Sequence, residues 1–468
     1  MNDVKTKQSE WSDGTNRPIR PAQQSALDAI DAAFLAGSNV VASNLPPGYG
    51  KSFIARALQR SSTPCDIITS DNALIKQYRD DYPVLNAVIG KEHYDDAEAY
   101  EAAHKQARSG NPSIFNPLSY YYARQRGLRE PNLLIVDEAH LLVDMLMYTS
   151  AYVFPVSKTR IPLNATSELD LIKWCKDRYL RLKQAISMPD APGMLFQEFE
   201  KIARLHDTLA EGTEKQMFQV SHDLVQFNGR KVKCVILQPL RVPESLIRSV
   251  TASRKLLVMS GTMTRFDAEH LAAGRSLSFQ LSDYLTPKEN RPVYYDPLEA
   301  KDRHNPEAIA AKIRKIYNAN PVPTVVHVTY GEQEALEHLL NDLHPFVNTS
   351  RNKALIANKF RAKGGIWLAA GCSEGLDLKY DACRQIIVPR LRYADKGNLF
   401  VQKRSGLEDG QYWYVLRAMQ NTVQALGRGV RAADDECVGH ILDPYFPSAF
   451  ERVGHEFAEL NMKWSTNG

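Results

Sequence analysis

Leu45-Pro46-Pro47-Gly48-Tyr49-Gly50-Lys51-Ser52 lies between an apolar run, Asn39-Val40-Val41-Ala42, and a segment from Phe53 to Gln59 with helical patterning. A strand, a glycine-containing loop and a helix in that order form a phosphate cradle. The glycines let backbone N–H groups converge on one anion, the helix N-terminus adds partial positive charge, and Lys51 supplies a mobile cation. Ser52 carries the hydroxyl that such loops offer to magnesium. Against the usual G-x-x-x-x-G-K-[ST] pattern, Leu45 stands where the first glycine would be. A Gly-Lys-Ser in a loop also arises by chance, so the rest of the chain must supply the other parts of such a site.

Working outward, Pro21 to Leu35 has apolar residues at helical spacing and leads into the strand before the loop. A second strand, Asp66 to Ser70, a helix from Asn72 to Tyr82, a charged helix from Asp95 to Arg108 and a short strand at Ser113 to Pro117 follow. Asn132-Leu133-Leu134-Ile135-Val136 is continuously apolar, as buried parallel strands are, and delivers Asp137-Glu138-Ala139-His140 at its carboxyl end, where open α/β sheets bind ligands. From Leu141 to Gly212 the pattern changes to long amphipathic segments, Glu168 to Ile186 and Met194 to Ala210. Trp174, Arg178, Tyr179, Arg181 and Lys183 on the first of them fit a helix with its apolar side inward and its cations outward. The sheet is expected to resume with a hairpin, Asp223 to Leu237, turning at Asn228-Gly229, and to continue through Lys255 to Met259. After a polar, proline-containing linker at Asp283 to Tyr295, a second α/β unit is expected. Its strands are Thr324 to Val328, Gly365 to Ala370, Arg384 to Val388 and Val438 to Leu442, with helices near Pro306 to Tyr317 and Glu332 to Asp342.

The fold class is therefore α/β, with two domains of parallel sheet covered by helices and a helical insertion in the first. The boundaries read as a flexible N-terminus at 1–19, a first domain at 20–140 and 213–285, an insertion at 141–212 and a second domain at 286–468. A length of 468 residues suits this division. Lys plus Arg number 58 against 54 for Asp plus Glu, and a net charge of +4 is too mild to announce a polyanionic partner, so any such contact needs local clustering. Six cysteines, Cys65, Cys175, Cys234, Cys372, Cys383 and Cys437, form no C-x-x-C pair, which favours reduced thiols and argues against zinc or iron–sulfur ligation. Residues 1–20 lack the apolar core of a signal peptide, and no run reaches the roughly 18 apolar residues of a membrane span. These features favour a cytoplasmic protein without a membrane partner.

Hydrolysis of a nucleoside triphosphate needs a phosphate cradle, a carboxylate for magnesium, a group that polarises water and cations for the charge on the γ-phosphoryl. Lys51 and Ser52 supply the first, Asp137 would reach the metal, and Glu138 would polarise the water. Gln424, Arg428 and Arg431 in Gln424-Ala425-Leu426-Gly427-Arg428-Gly429-Val430-Arg431 would share one face of a helix and project across a cleft toward a nucleotide on the first domain.

With these residues in order, the chain resembles the superfamily 2 helicases, and within them the XPD/DinG-like group. Arg20-Pro21-Ala22-Gln23 is similar to the adenine-side Q element, LPPGYGKS to motif I, Ile68-Thr69-Ser70 to motif Ia and DEAH to motif II. Ser260-Gly261-Thr262-Met263 resembles motif III, Ser373-Glu374-Gly375-Leu376-Asp377 motif V and QALGRGVR motif VI. The resemblance implies two RecA-like domains, an arch-like insertion between motifs II and III, and a motif I whose first glycine is relaxed. ATP and magnesium would be held by Arg20, Gln23, Pro47, Gly48, Tyr49, Gly50, Lys51, Ser52, Gly375 and Asp377, with Ser52 and Asp137 on the metal. Glu138, Gln424, Arg428 and Arg431 would carry the chemistry, and His140, Ser260, Thr262 and Glu374 would couple it to motion. Thr69, Ser70, Asn116, Thr329 and Tyr330 would contact a nucleic-acid strand. Many relatives hold a four-cysteine iron–sulfur cluster between motifs I and II, but only Cys65 lies between Ser52 and Asp137, so no cluster is expected. The implied activity is that of a monomeric ATP-dependent DNA helicase or translocase, moving 5′-to-3′ on single strands and on tailed or forked duplexes in a bacterial or phage-infected cytoplasm. An RNA helicase and a nucleotide-gated clamp without unwinding are the alternatives.

Overall fold

The computed structural model describes residues 11–15, 17–62, 64–69, 72–149, 151–156, 161, 168–188, 192–211, 218–227, 230–372, 378 and 380–464. The chain first lays down strands β1 (Val40–Asn44), β2 (Cys65–Thr69), β3 (Asn86–Val88), β4 (Ser113–Phe115) and β5 (Leu133–Asp137). It then forms β6 (Tyr152–Pro155), β7 (Phe218–Phe227) and β8 (Arg230–Pro239), and returns with β9 (Lys255–Ser260) and β10 (Leu277–Leu281). Strands β11 (Val293–Tyr295), β12 (Thr324–Val328), β13 (Phe346–Val347), β14 (Ile366–Ala370), β15 (Gln385–Val388), β16 (Val438–Ile441) and β17 (Met462–Trp464) complete the set.

The first sheet has the order β10-β1-β9-β5-β2-β4-β3, and every pairing in it is parallel. Strands β2 and β5 are buried along their whole length, as their apolar runs require when helices cover both faces. One covering helix, Pro21–Leu35, turns Ala26, Leu27, Ile30 and Phe34 inward at three- and four-residue intervals. The strand order sets β1, β9 and β5 side by side, so the segments leaving their carboxyl ends become neighbours although 45, 138 and 261 are far apart in sequence. A second parallel sheet follows the order β13-β14-β12-β15-β16-β11-β17. Trp367 in β14 is fully buried there, and its indole N–H donates to Asn348 Oδ1 at 3.0 Å, which satisfies its one polar atom.

Leu141–Thr251 and Asp395–Gly410 together form a separate compact unit, described here by itself. It contains the antiparallel sheet β6-β8-β7 and two long helices, Glu168–Ile186 and Gly193–Glu211. Its core includes Phe154, Cys175, Ile202, Phe218, Val235 and Leu237. Three sequence expectations change accordingly. The hairpin does not resume the first sheet; it pairs with β6 instead. Strand β8 alternates between buried and less buried positions along much of its length, which suits a sheet covered on one face, whereas β9 is buried almost throughout and enters the middle of the parallel sheet. The expected turn residues Asn228 and Gly229 lie outside the described residues, with Phe227 paired to Arg230 on either side. The second domain is not continuous over 286–468 either. Asp409 accepts from Arg404, which is 3% exposed, at 2.9 Å, and also from Arg241, so it ties 395–410 to the insertion. The expected linker also ends early, because Val293–Tyr295 is a strand of the second sheet.

Asp66 in β2 is 1% exposed, and among the described residues neither of its carboxylate oxygens has a hydrogen-bond partner. Burial pushes its carboxyl from 3.8 up to about 7, against the pull of Arg129 and Arg124. Because the folded state then holds this proton more tightly than the unfolded chain, stability falls as pH rises from about 4 to about 7. Asp66→Asn keeps the shape and stays neutral. It should be more stable than the wild type by roughly 1 to 4 kcal/mol at pH 8, with the gap closing toward pH 4. Thermal melts of both proteins across that range check the sign.

Candidate nucleotide site

Three adjacent carboxyl ends build the site. After β1, the Leu45 N–H donates to the Ser260 carbonyl at 2.9 Å, which fastens the start of the loop to the end of β9. Leu45 itself is fully buried in the first core. Its position therefore belongs to the strand's packing, and a glycine there is not needed for the cradle. Gly48 and Gly50 take φ of 91° and 78°, in the left-handed region that disfavours other residues. A Cβ at Gly48 would collide with the Arg431 carbonyl, and one at Gly50 would lie 2.5 Å from Gln23 Nε2 and 2.6 Å from Arg20 Nη2. The helix Lys51–Ser61 starts at once, with Gly50 as its N-cap and no side chain capping it. Its first-turn N–H groups have no acceptor within the helix. A backbone shaped this tightly, ending in an uncapped helix beside a lysine, fits an anionic group such as a triphosphate.

Asp137 ends β5, and Glu138 follows at φ 53°, a strained conformation of the kind that collects at functional sites. Asp137 Oδ2 accepts from Tyr78 Oη at 3.0 Å and its Oδ1 from the Glu138 N–H at 2.9 Å. Glu138 Oε1 pairs with Lys51 Nζ at 3.0 Å, and its Oε2 accepts from Ser260 Oγ at 3.4 Å. Burial raises the Asp137 carboxyl despite the nearby Lys51 charge. Burial pushes Glu138 the same way, but Lys51 and then His140 outweigh it and hold that carboxyl low. Neighbouring carboxylates are thereby driven apart, and Glu138 stays ionised.

His140 joins the two sheets. Its Nδ1 lies 2.7 Å from Ser260 Oγ, and Gln424 Nε2 donates to its Nε2 at 2.6 Å. The tautomer this donation requires carries its proton on Nδ1, toward Ser260. Gln424 Nε2 also lies 3.2 Å from Thr262 Oγ1, while Thr262 N–H donates to Ser260 Oγ at 3.1 Å. Gln424 belongs to the helix Gly410–Leu426. Two further residues of that helix were not singled out from sequence: Gln420 Nε2 donates to the Thr262 carbonyl at 3.1 Å and to Asp267 Oδ2 at 2.6 Å, and Arg417 donates to Asp267 Oδ1 at 2.7 Å. Their i, i+3, i+7 spacing with Gln424 is the signal that could have found them.

One expectation about this segment is corrected. The helix stops at Leu426, Gly427–Gly429 forms a 3-10 turn, and Val430 is extended, so Gln424, Arg428 and Arg431 do not share one helix face. The break fits the glycines, since a Cβ at Gly429 would collide with Cys437 Sγ. Arg428 still lies where its charge lowers the Glu138 carboxyl, and Arg431 brings its carbonyl against Gly48 while its N–H donates to Asp435 at 3.0 Å.

Pro47 is in contact range of both Gly261 and Gly427, which encloses the loop from both sheets. Ser70, Glu374, Gly375 and Asp377 lie outside the described residues. Thr69 is buried at the end of β2. Asn116 caps the helix Pro117–Gln125 by accepting from the Ser119 N–H at 2.7 Å, and Thr329 forms a capping box with Glu332. Tyr330 is 45% exposed. In the insertion, Trp174 meets Phe154 edge-on, Arg178 pairs with Glu198 at 2.7 Å and Tyr179 stacks on His206, so these residues pack the unit.

Two all-parallel α/β domains with a site at the carboxyl ends of the first define a nucleotide-motor type of fold. Residues 325–459 match the helicase C-terminal domain family. The chain is similar to an XPD helicase structure with a TM-score of 0.60 and 13% identity, over 96% of this chain and 100% of that one. It is similar to an apo XPD structure with a TM-score of 0.59 and 13% identity, over 94% and 100%. Xpd4 of S. tokodaii gives 0.58 and 14%, over 95% and 100%. No curated protein matches the sequence. The chain thus has the fold of the XPD group of superfamily 2 helicases and carries a helicase C-terminal domain.

Gly48→Ala tests the cradle. Alanine at that φ costs roughly 1–2 kcal/mol and brings the collision with Arg431 as well. Gly37 supplies the control, because its φ is 96° but a Cβ there meets nothing within 4 Å. Gly37→Ala should lower the melting temperature only, whereas Gly48→Ala should weaken triphosphate binding at least tenfold, read by displacement of a fluorescent nucleotide.

Proposed function

We propose that this protein is an ATP-dependent DNA helicase or translocase that couples ATP hydrolysis to movement along single-stranded DNA, 5′-to-3′, and to opening of tailed or forked duplexes. The observation that carries the reading is the hydrogen-bonded series Glu138, Ser260, His140, Gln424, which links a carboxylate on the first sheet to a helix that leads into the second. Lys51 and the first-turn N–H groups of its helix would take the β- and γ-phosphates. Ser52 and Asp137 would hold magnesium, which supplies neutralising charge on the phosphate oxygens. One carboxylate beside a hydroxyl suits that ion, which keeps waters and uses substrate phosphates as ligands.

Glu138, ionised and within reach of Lys51, would accept the proton of the attacking water as Lys51 turns to the phosphates. Arg428 would add positive charge from the second sheet, and its approach makes turnover depend on how the domains sit together. The nucleic-acid strand would run over the carboxyl ends of β2, β4 and β12, past Thr69, Asn116, Thr329 and Tyr330, with Ser70 beside them. Gly375 and Asp377 would complete the nucleotide side, and Glu374 the coupling.

Glu138→Gln should bind ATP as the wild type does and lose turnover, because the amide keeps the shape but cannot take the proton. Lys51→Ala should lose both. Arg428→Ala should cut strand-stimulated turnover by roughly a thousandfold or more, with nucleotide binding little changed. The measurement is hydrolysis with no nucleic acid, single-stranded DNA, single-stranded RNA and duplex DNA side by side. Undiminished stimulation in Arg428→Ala would reject the two-sheet site, and stimulation by RNA alone would turn the reading toward an RNA motor.

A further inference from the structure

We propose that the nucleotide site does not read the base, so that its substrate class is nucleoside triphosphates in general. This rests on the reading of the Gly48–Ser52 loop as a triphosphate site. The two side chains that the sequence resemblance assigns to adenine are both engaged with the loop itself. Gln23 is 3% exposed. Its Oε1 accepts from the Arg20 N–H at 3.0 Å, and its Nε2 donates to the Tyr49 carbonyl at 3.0 Å. Reading the edge of adenine takes one donor and one acceptor presented together by one amide. Here each end of that amide already has a partner within the protein, and the side chain lies under the loop.

Arg20 grips the same carbonyl, with Nη2 donating to it at 2.7 Å. An arginine has donors only, and its exposed guanidinium plane stacks on any base with little preference. Tyr49, between the two glycines, is 8% exposed within the first core, and its hydroxyl bonds to Ser282. The three side chains nearest the loop therefore hold its backbone, and Gly50 leaves the room they need. Gln23 is on this argument a positioning residue for the phosphates. A pocket rejects a wrong substrate strongly when its own buried polar groups would be left without a partner, and a base that meets no such groups is not discriminated.

Competition of ATP, GTP, CTP and UTP for a fluorescent triphosphate measures this in the unmodified full chain, whether or not hydrolysis follows. The four affinities should agree within about tenfold, and a preference for ATP of about a hundredfold or more would overturn the proposal. Binding without hydrolysis would reject the motor and leave the affinity ratios to decide this point. Failure of all four to bind would overturn both. Gln23→Glu keeps the acceptor for Arg20 and loses the donor to Tyr49. It should weaken all four triphosphates by one common factor of about ten, with the melting temperature of the nucleotide-free protein nearly unchanged. A loss confined to ATP would restore Gln23 to the base and overturn the inference. Gln23→Ala gives the same separation if the buried carboxylate prevents folding.

Discussion

A buried imidazole must have both nitrogens answered, and His140, 4% exposed, meets that demand with one partner from each sheet. Ser260 answers Nδ1 from the first sheet. Gln424 answers Nε2 from a helix belonging to the second domain. Neither partner is interchangeable with water at this depth, so the ring is satisfied only when the helix is docked. Glu138 lies one bond further along, through the Ser260 hydroxyl, and the ionisation of that carboxylate depends on Lys51 and His140 together. In the proposed reaction, the state of the carboxylate and the position of the helix are therefore parts of one arrangement.

That arrangement exists because of strand order. With β9 between β1 and β5, the phosphate loop, the Ser260–Thr262 turn and the Asp137–His140 corner leave the sheet side by side. Parallel neighbours point all three exits the same way, which an antiparallel pairing could not do. Arg417, Gln420 and Gln424 then meet this edge along one helical stripe, and Asp267 and Thr262 receive them. The contacts are polar and depend on direction, so they fix where the helix sits as well as holding it.

Much of this was legible wherever the cause is local. The helix Pro21–Leu35, the long helix Glu168–Ile186 and strand Thr324–Val328 follow from periodicity or from an unbroken β-branched run, and the glycine loop from its own residues. Strands β3, β10, β11, β13 and β17 were not legible, because they are short or exposed at sheet edges and become strands through partners remote in sequence. The hairpin β7–β8 was recognised, but its alternation does not say which sheet it joins. The assignment of 395–410 to the insertion turns on Asp409 meeting Arg241, a pair 168 residues apart. In the site, residue types and order were readable, but the end of the helix at Leu426 was not, since a glycine in a helical pattern stops it only when the neighbouring chain needs the space.

The same division of labour recurs along both sheets. Gln23 holds the Tyr49 carbonyl, Asn116 the Ser119 N–H, and Thr329 exchanges bonds with Glu332, while Asn348 accepts from Trp367 Nε1 and the Ala370 N–H. Each is an amide or hydroxyl that could have read a ligand by its hydrogen-bonding pattern, and each is used to set backbone near a carboxyl end. Backbone N–H groups and long cations distinguish charge and spacing but not one base from another. A protein built this way is suited to partners whose common feature is phosphate, at its nucleotide loop and along a strand alike. For a motor that must hold every step of a strand equally well, side chains that fix backbone geometry serve better than side chains that recognise sequence.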